Sequence, residues 1–376
     1  MSLALNGTNG VTYNDGTLQS SAPVGRNRII NGNMAIDQRN AGTSLTVTAV
    51  YPPAYSMDRF YVYGSVTSKF TAQQNAGSVT PPTGFTNYLG CTSLSAYSVG
   101  SSDNFLFGQY IEGFNVADLD FGKATAKTVT LSFWVRSSLT GTFGGSLVNS
   151  ANNRSYVFSY TISSANTWEQ KSITITGDIT GTWLTNNGVG LALNFSIGSG
   201  STFSTTAGSW VTGNFLNVTG ATSVVGTSGA TFYITGVQLE TGTTATDFEN
   251  LQYTTQLSLC QRYYYLLNDV SGTANQVIGV GFMYAATTAR IFIPFPTTMR
   301  TLPSVISTTT TNGYNFNING TDVFTNDLSY PFAAAANTIG AMVSGTLSSG
   351  TGTAGEVRYL RYATATGAKL SFDAEL

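Results

Sequence analysis

The clearest signal along the chain is alternation. Val129, Leu131, Phe133 and Val135 are interleaved with Thr128, Thr130, Ser132, Trp134 and Arg136, the period of two expected of a half-buried strand. Val189, Leu191, Leu193, Phe195 and Ile197 repeat it, with Gly190, Ala192, Asn194, Ser196 and Gly198 between them. Residues 172–176 and 232–235 add two more strands, and clusters of Gly, Ser, Thr and Asn at 137–146, 198–209 and 219–230 separate the runs. Many short strands divided by turn signals predict a β-sandwich. Further along, Ile291, Ile293 and Phe295 alternate, as do Val357, Tyr359 and Arg361, with Pro294, Pro296 and Pro303 at strand ends. Helical spacing is confined to one turn at 115–122 and one helix over 254–262.

These patterns divide the chain into three parts. Residues 1–26 hold the turn dipeptides Asn6-Gly7 and Asn9-Gly10 around a short β-prone piece, too little to bury a core alone; they are expected to serve attachment or oligomerisation. Residues 27–250 form the main sandwich, and residues 251–376 a smaller β domain.

Composition strengthens the all-β reading and removes several chemistries. Charged residues are 9% of the 376 positions, aromatics 12% and hydrophobic residues 41%, enough to build a core. Histidine is absent, so a Ser-His-Asp triad, a Cys-His dyad and a His-ligated metal are excluded. The 16 basic residues are outnumbered by 18 acidic ones, which argues against a nucleic-acid partner. No apolar run reaches the length of a helical membrane span, and no basic-then-apolar leader opens the chain. Cys91 and Cys260 read as two free thiols.

Several sequence words form a recognisable ensemble. They are Arg28-Ile29-Ile30-Asn31-Gly32-Asn33-Met34 with Asp37-Gln38-Arg39, then Thr130 through Arg136, then Phe232 through Glu240 followed by Gly242, Ala245-Thr246 and Phe248-Glu249, and finally Leu259 through Tyr264. This set resembles tail-fibre and related virion structural proteins of bacteriophages, especially those with a jelly-roll domain similar to carbohydrate-binding modules. The resemblance implies a central jelly roll and a homotrimeric fibre on the exterior of the virion. The N-terminal segment would join other virion proteins, and the fibre would adhere, without enzymatic activity, to a host-surface glycan. Two rivals are a head-decorating or tail-assembly protein with no receptor role and a polysaccharide depolymerase. The resemblance also implies a structural calcium near the first and last strands, for which Glu240, Asp247 and Glu249 supply oxygen atoms; ordinary surface charge is the favoured reading of the three.

Aromatic residues in polar loops are the expected sugar contacts, because a ring stacks on the apolar face of a pyranose while amide and hydroxyl neighbours take its hydroxyls. Tyr51, Tyr55, Trp183, Trp210 and Tyr314 meet that description, and packing between subunits would use the same residues. Trp134 and Trp168, on strands, are expected to pack. Asp118 and Asp120 invite comparison with a hydrolytic pair, but solvated or capping roles are favoured. Gly350 to Gly355 match G-x-G-x-x-G without the following helix a phosphate loop needs. The run Arg262-Tyr263-Tyr264-Tyr265 is expected at a domain or subunit seam.

Overall fold

A computed structural model describes residues 25–48, 51–268, 277–307, 313–318, 321–325, 328–331, 334–348, 352–363 and 369–376, together with the backbone of three short strands nearer the N-terminus. The chain divides into two compact units, residues 1–253 and 254–376. Almost all regular structure is β, in antiparallel sheets.

In the first unit two sheets face each other. One has six strands in the order Glu169–Ile175, Val129–Ser137, Thr231–Thr241, Leu89–Ser93, Phe70–Gln74, Leu45–Thr46. The other has seven, in the order Trp210–Thr212, Arg154–Ile162, Gly141–Val148, Val189–Ser199, Asn104–Glu112, Phe60–Gly64, Ala54–Met57. The alternating positions do what their spacing demands. Leu131, Phe133 and Val135 from one sheet meet Leu191, Leu193, Phe195 and Ile197 from the other in a single buried cluster. At its middle, Phe195 lies against Phe107, Phe133 and Phe158, with ring centroids 5.3, 5.1 and 5.9 Å away. Near the N-terminus, Ala4–Asn6, Gly10–Thr12 and Leu18–Gln19 pair in sequence order as a three-stranded ladder.

The first and last segments of the sandwich are clasped together, and this clasp uses the recognisable words. The Glu249 carboxylate accepts the backbone N–H groups of Gly25 and Asn27, both at 2.8 Å. The Asn27 side chain bonds the backbone of Val237 and Leu239. The Gln109 amide holds both the N–H and the carbonyl of Ile30. The single turn expected at 115–122 appears as two short 3-10 turns, Gly113–Asn115 and Ala117–Leu119, with Leu119 buried.

The second unit is a smaller sandwich. A three-stranded sheet (Tyr264–Asn268, Lys369–Asp373, Ser304–Ser307) packs on a six-stranded one, whose order is Thr321–Thr325, Tyr314–Ile318, Val357–Tyr362, Val277–Ala285, Thr288–Pro294, Gly340–Thr346. Ile291, Phe316, Leu360, Leu370 and Phe372 share its core. The only α-helix among the described residues is Tyr253–Gln261, where the spacing placed one. The tyrosine run that follows serves this core: Tyr265 stacks on Phe372 at 6.3 Å and meets Phe295 edge-on at 6.2 Å. Cys91 and Cys260 form no disulfide and are both buried, and burial pushes the Cys91 thiol pKa up.

Two stability outcomes are expected. Truncating Phe195 to Ala opens a cavity among three rings and lowers the unfolding free energy by about 3–5 kcal/mol, read from denaturant titration. Glu249→Ala leaves two clasp N–H groups without their acceptor and lowers it by about 2–3 kcal/mol, whereas EDTA leaves the unmodified protein's melting temperature unchanged.

Candidate glycan-binding groove

Each strand of the seven-stranded sheet sends one set of side chains into the core and the other outward. On Phe60–Gly64, Phe60 and Val62 join the core and Tyr61 and Tyr63 face out; on Asn104–Glu112, Phe105 and Phe107 point in and Asn104, Leu106 and Tyr110 out. Ala192 and Asn194 alternate with the core leucines of Val189–Ser199. Strand pairing lines these outward residues up. Tyr61 is opposite Gly108, Gly108 opposite Asn194, and Asn194 opposite Ser146.

Gly108 is what lets this row close. The Tyr61 ring crosses over it and its hydroxyl donates to Asn194 Oδ1, while Asn194 Nδ2 donates to Ser146 Oγ at 3.2 Å. A Cβ on Gly108 would sit 3.1 Å from the Tyr61 hydroxyl and 1.9 Å from the Leu193 carbonyl oxygen, so no other residue fits without displacing a strand. Tyr110 then stacks on Tyr61, ring centroids 4.4 Å apart and planes inclined by 24°.

Loops raise walls around this floor. Tyr51 and Pro53 stand on one side, Phe203, Asn214 and Leu216 on another, and Asn152 comes from the turn between Gly141–Val148 and Arg154–Ile162. The result is a cavity of about 230 Å³ lined by four tyrosines, four asparagines, Pro53 and aliphatic or phenyl side chains, with no charged residue in its wall. Leu106, Val148, Ala192 and Leu216 form a small apolar cluster beneath it. Asn214 Oδ1 is shielded from solvent and has no hydrogen-bond partner among the described residues. An unsatisfied buried acceptor is costly, and a ligand hydroxyl would relieve it.

Burial holds the phenols neutral. The Tyr110 pKa is pushed up to about 12, first by burial and then by the nearby Tyr51 and Tyr63 phenols. Tyr61 is raised well above its ordinary value for the same leading reason, with Tyr110 and Tyr55 adding. Both therefore keep their O–H through the physiological range.

Of the residues singled out in the sequence, only Tyr51 lines the groove, and it is 84% exposed. Tyr55 pairs with Tyr61 on the neighbouring edge strand, outside the cavity wall, and carries the Arg39 guanidinium 4.6 Å from its ring centroid. Trp183 and Trp210 form a separate aromatic triad with Phe121, centroids 5.1–5.6 Å apart. Their indole N–H groups are spent on the Thr180 and Thr176 carbonyls. Tyr314 is fully buried in the second unit, where its hydroxyl donates to the Lys369 carbonyl; it presents no face to a sugar. Trp168 packs as expected, edge-on to Tyr88 at 5.6 Å. Residues that strand reasoning passed over carry the groove instead. Tyr61, Tyr63 and Tyr110 lie in stretches where the alternation of the sequence marks no strand, and Asn194 enters there only as a polar position between core residues.

The calcium candidates do not fit a cation. Glu240 is buried, accepting from the Thr246 N–H and hydroxyl and from Gln238 Nε2, and both Glu249 oxygens are engaged in the clasp. Asp247 is exposed and lends its backbone carbonyl to Arg26. Among the described residues no group of three acidic, cysteine or histidine side chains is arranged to hold a metal. Asp118 is paired with Arg28 and Lys127, and Asp120 with Lys123, on the surface. Part of the Gly350–Gly355 motif lies outside the described residues; the strand Val357–Tyr362 follows it.

No protein-family model matches this sequence, and no curated protein matches it. Among solved structures, similarity is found to the enzymatically active domain of tailspike protein 4 from bacteriophage CBA120, with 12% identity, a TM-score of 0.30, and 52% of this chain but 22% of that one covered. A putative sugar-binding protein from Bacteroides thetaiotaomicron is 11% identical with a TM-score of 0.33, over 58% of this chain and all of that one. The carbohydrate-binding module TmCBM61, solved with β-1,4-galactotriose, is 12% identical with a TM-score of 0.29, over 58% of this chain and 99% of that one.

The raised phenol pKa values have a definite sign. A tyrosine with a folded pKa near 12 and an unfolded value near 10 adds no pH dependence below about pH 10; above that the unfolded chain loses its proton first, so stability falls up to about pH 12, by at most about 1.4 kcal/mol per pH unit per phenol. Denaturant titrations at rising alkaline pH should show this decline, and Tyr110→Phe should make it shallower.

Proposed function

We propose that this chain is a non-enzymatic glycan-binding protein of a bacteriophage fibre, displayed on the virion exterior, and that the groove on the first unit takes a neutral oligosaccharide. The observation that carries the reading is the wall of the cavity. Phenol rings and carboxamides converge there on one uncharged recess. Rings match the C–H faces of sugars, and amide groups, which both donate and accept, match hydroxyls. A uronate or sialate would enter a site with no cation to pair with, at a desolvation cost nothing repays. A hydrolase acting here would need two carboxylates flanking the scissile bond; the wall supplies none, and this supports binding without turnover. The virion and fibre assignment rests on the sequence resemblance, and the N-terminal segment would join the chain to other virion proteins. Shallow sugar sites bind weakly, so a homotrimer would gain its hold through effective concentration.

The test is a glycan array of neutral and acidic oligosaccharides followed by calorimetry on the best binder. Tyr51→Ala and Tyr110→Ala should each weaken binding about tenfold or more, as lost aromatic contacts of about 1.5 kcal/mol would do, while Trp183→Ala leaves it within about twofold. With no histidine and no charge in the wall, affinity should stay flat from about pH 6 to about pH 9 and respond little to salt. Preference for acidic glycans, a steep salt dependence, or release of reducing ends from the bound sugar would refute the proposal.

A further inference from the structure

The second unit also has an outward sheet face, and its chemistry is the opposite of the groove's. Its six-stranded sheet buries one side against the three-stranded sheet; the other side is left uncovered. On that side stand Val280, Phe282 and Tyr284 from Val277–Ala285, Phe292 from Thr288–Pro294, and Val357 and Tyr359 from Val357–Tyr362. The buried residues between them, Met283, Ile291, Ile293 and Leu360, confirm which way each strand is turned. Val357 is 65% exposed, Val280 54% and Phe292 52%.

Register makes these residues one surface. Val280 pairs with Tyr359 and Phe282 with Val357. On the other flank Phe282 pairs with Arg290, and Val280 stands one rung from the Gly281–Ile291 pair, toward Phe292. Both cations on this face turn their charge onto aromatic rings: Arg290, beside Phe282, lies 3.4 Å from the Tyr284 ring centroid, and Arg361, opposite Val277, 5.8 Å from that of Tyr359. The three central strands contain no Asp or Glu.

Area and shape decide what covers this face. With roughly 150–250 Å² for a whole aromatic side chain, the half-exposed rings and valines present on the order of 600 Å², at the upper end of what a monomer leaves open. With Val277, opposite Arg361, at its edge, the patch comes near the roughly 800 Å² per partner of a stable protein interface. Aromatic residues and arginine, with lysine and acidic residues absent from the three strands, are the composition such interfaces favour. A sheet face packs naturally on another sheet face, about 10 Å away.

We infer that this face is where the chain meets a second copy of itself, sheet against sheet, with Val280, Phe282, Phe292 and Tyr359 at the centre. The inference stands on the second unit alone and does not depend on glycan binding.

Sedimentation equilibrium of the full chain tests it. The unmodified protein should be oligomeric at micromolar concentration, and Phe282→Lys and Val280→Lys should each raise the dissociation constant at least tenfold while the far-ultraviolet spectrum keeps its β-sheet form. A monomeric unmodified chain, whether the face is then bare or covered by the chain's own first unit, would overturn the inference, as would an oligomer that both variants leave intact. Should the lysine variants lose their sheet spectrum, Tyr359→Cys decides: rapid linkage of two chains by a short bismaleimide supports the contact, and no linkage within an oligomer overturns it. The per-site affinity for a soluble oligosaccharide, measured by calorimetry on either full-length variant, should match the unmodified chain, which separates failure of this contact from failure of the groove.

Discussion

A strand shows its side chains alternately to two faces, and a sandwich of two sheets can bury only one face of each. Everything specific to this protein follows from how the remaining faces are used. In the first unit the inward set is phenylalanine, leucine, isoleucine and valine, meeting around Phe195. That packing fixes the strands, and fixed strands hold Tyr61, Tyr110 and Asn194 in a pre-set row on the opposite side. A preorganised floor spares a ligand the cost of ordering it.

The two outward faces diverge because their side chains do. On the first unit tyrosines are mixed with asparagines, and loops rise around them to make a recess. On the second unit valine, phenylalanine and tyrosine fill the middle strands, with Asn317 only on the flank beside Tyr359, and the surface stays open. The first arrangement suits a ligand rich in hydroxyls; the second suits dry contact with another protein surface. One architecture used twice thus presents two kinds of outward face, and the division lies in which polar groups interrupt the apolar ones.

The clasp shows how misleading a residue type can be without its surroundings. Glu240 and Glu249 have the oxygen atoms that calcium prefers, and they stand near the closing strand. In the folded chain the Glu249 oxygens accept the N–H groups of Gly25 and Asn27, tying the first segment to the last, while the Glu240 oxygens accept from Gln238 and Thr246 and pin the loop after the closing strand. The Glu249 carboxylate does by hydrogen bonding what an ion could do by coordination, tying the two ends of a sandwich together. The same holds for Trp183 and Trp210. Their loops are polar in sequence, yet the rings find each other and Phe121, and their N–H groups find carbonyls.

Alternation marked the strands observed at 129–137 and 189–199, four-residue spacing over 254–262 marked the helix observed at 253–261, and alternation with composition marked the all-β class, because the period of an element is a local property written in consecutive residues. The absence of histidine likewise excluded whole chemistries with no structure needed. The groove was a different matter. Tyr61 and Asn194 are 133 positions apart, and they meet only because the 104–112 strand lies between theirs, with a glycine at the crossing point. Tyr314 reads as a loop aromatic but belongs to a core assembled from strands far along the chain. Which face of a strand turns inward is set by the sheet it packs against, so the sequence could say that a face existed, and only the tertiary structure could say what that face would meet.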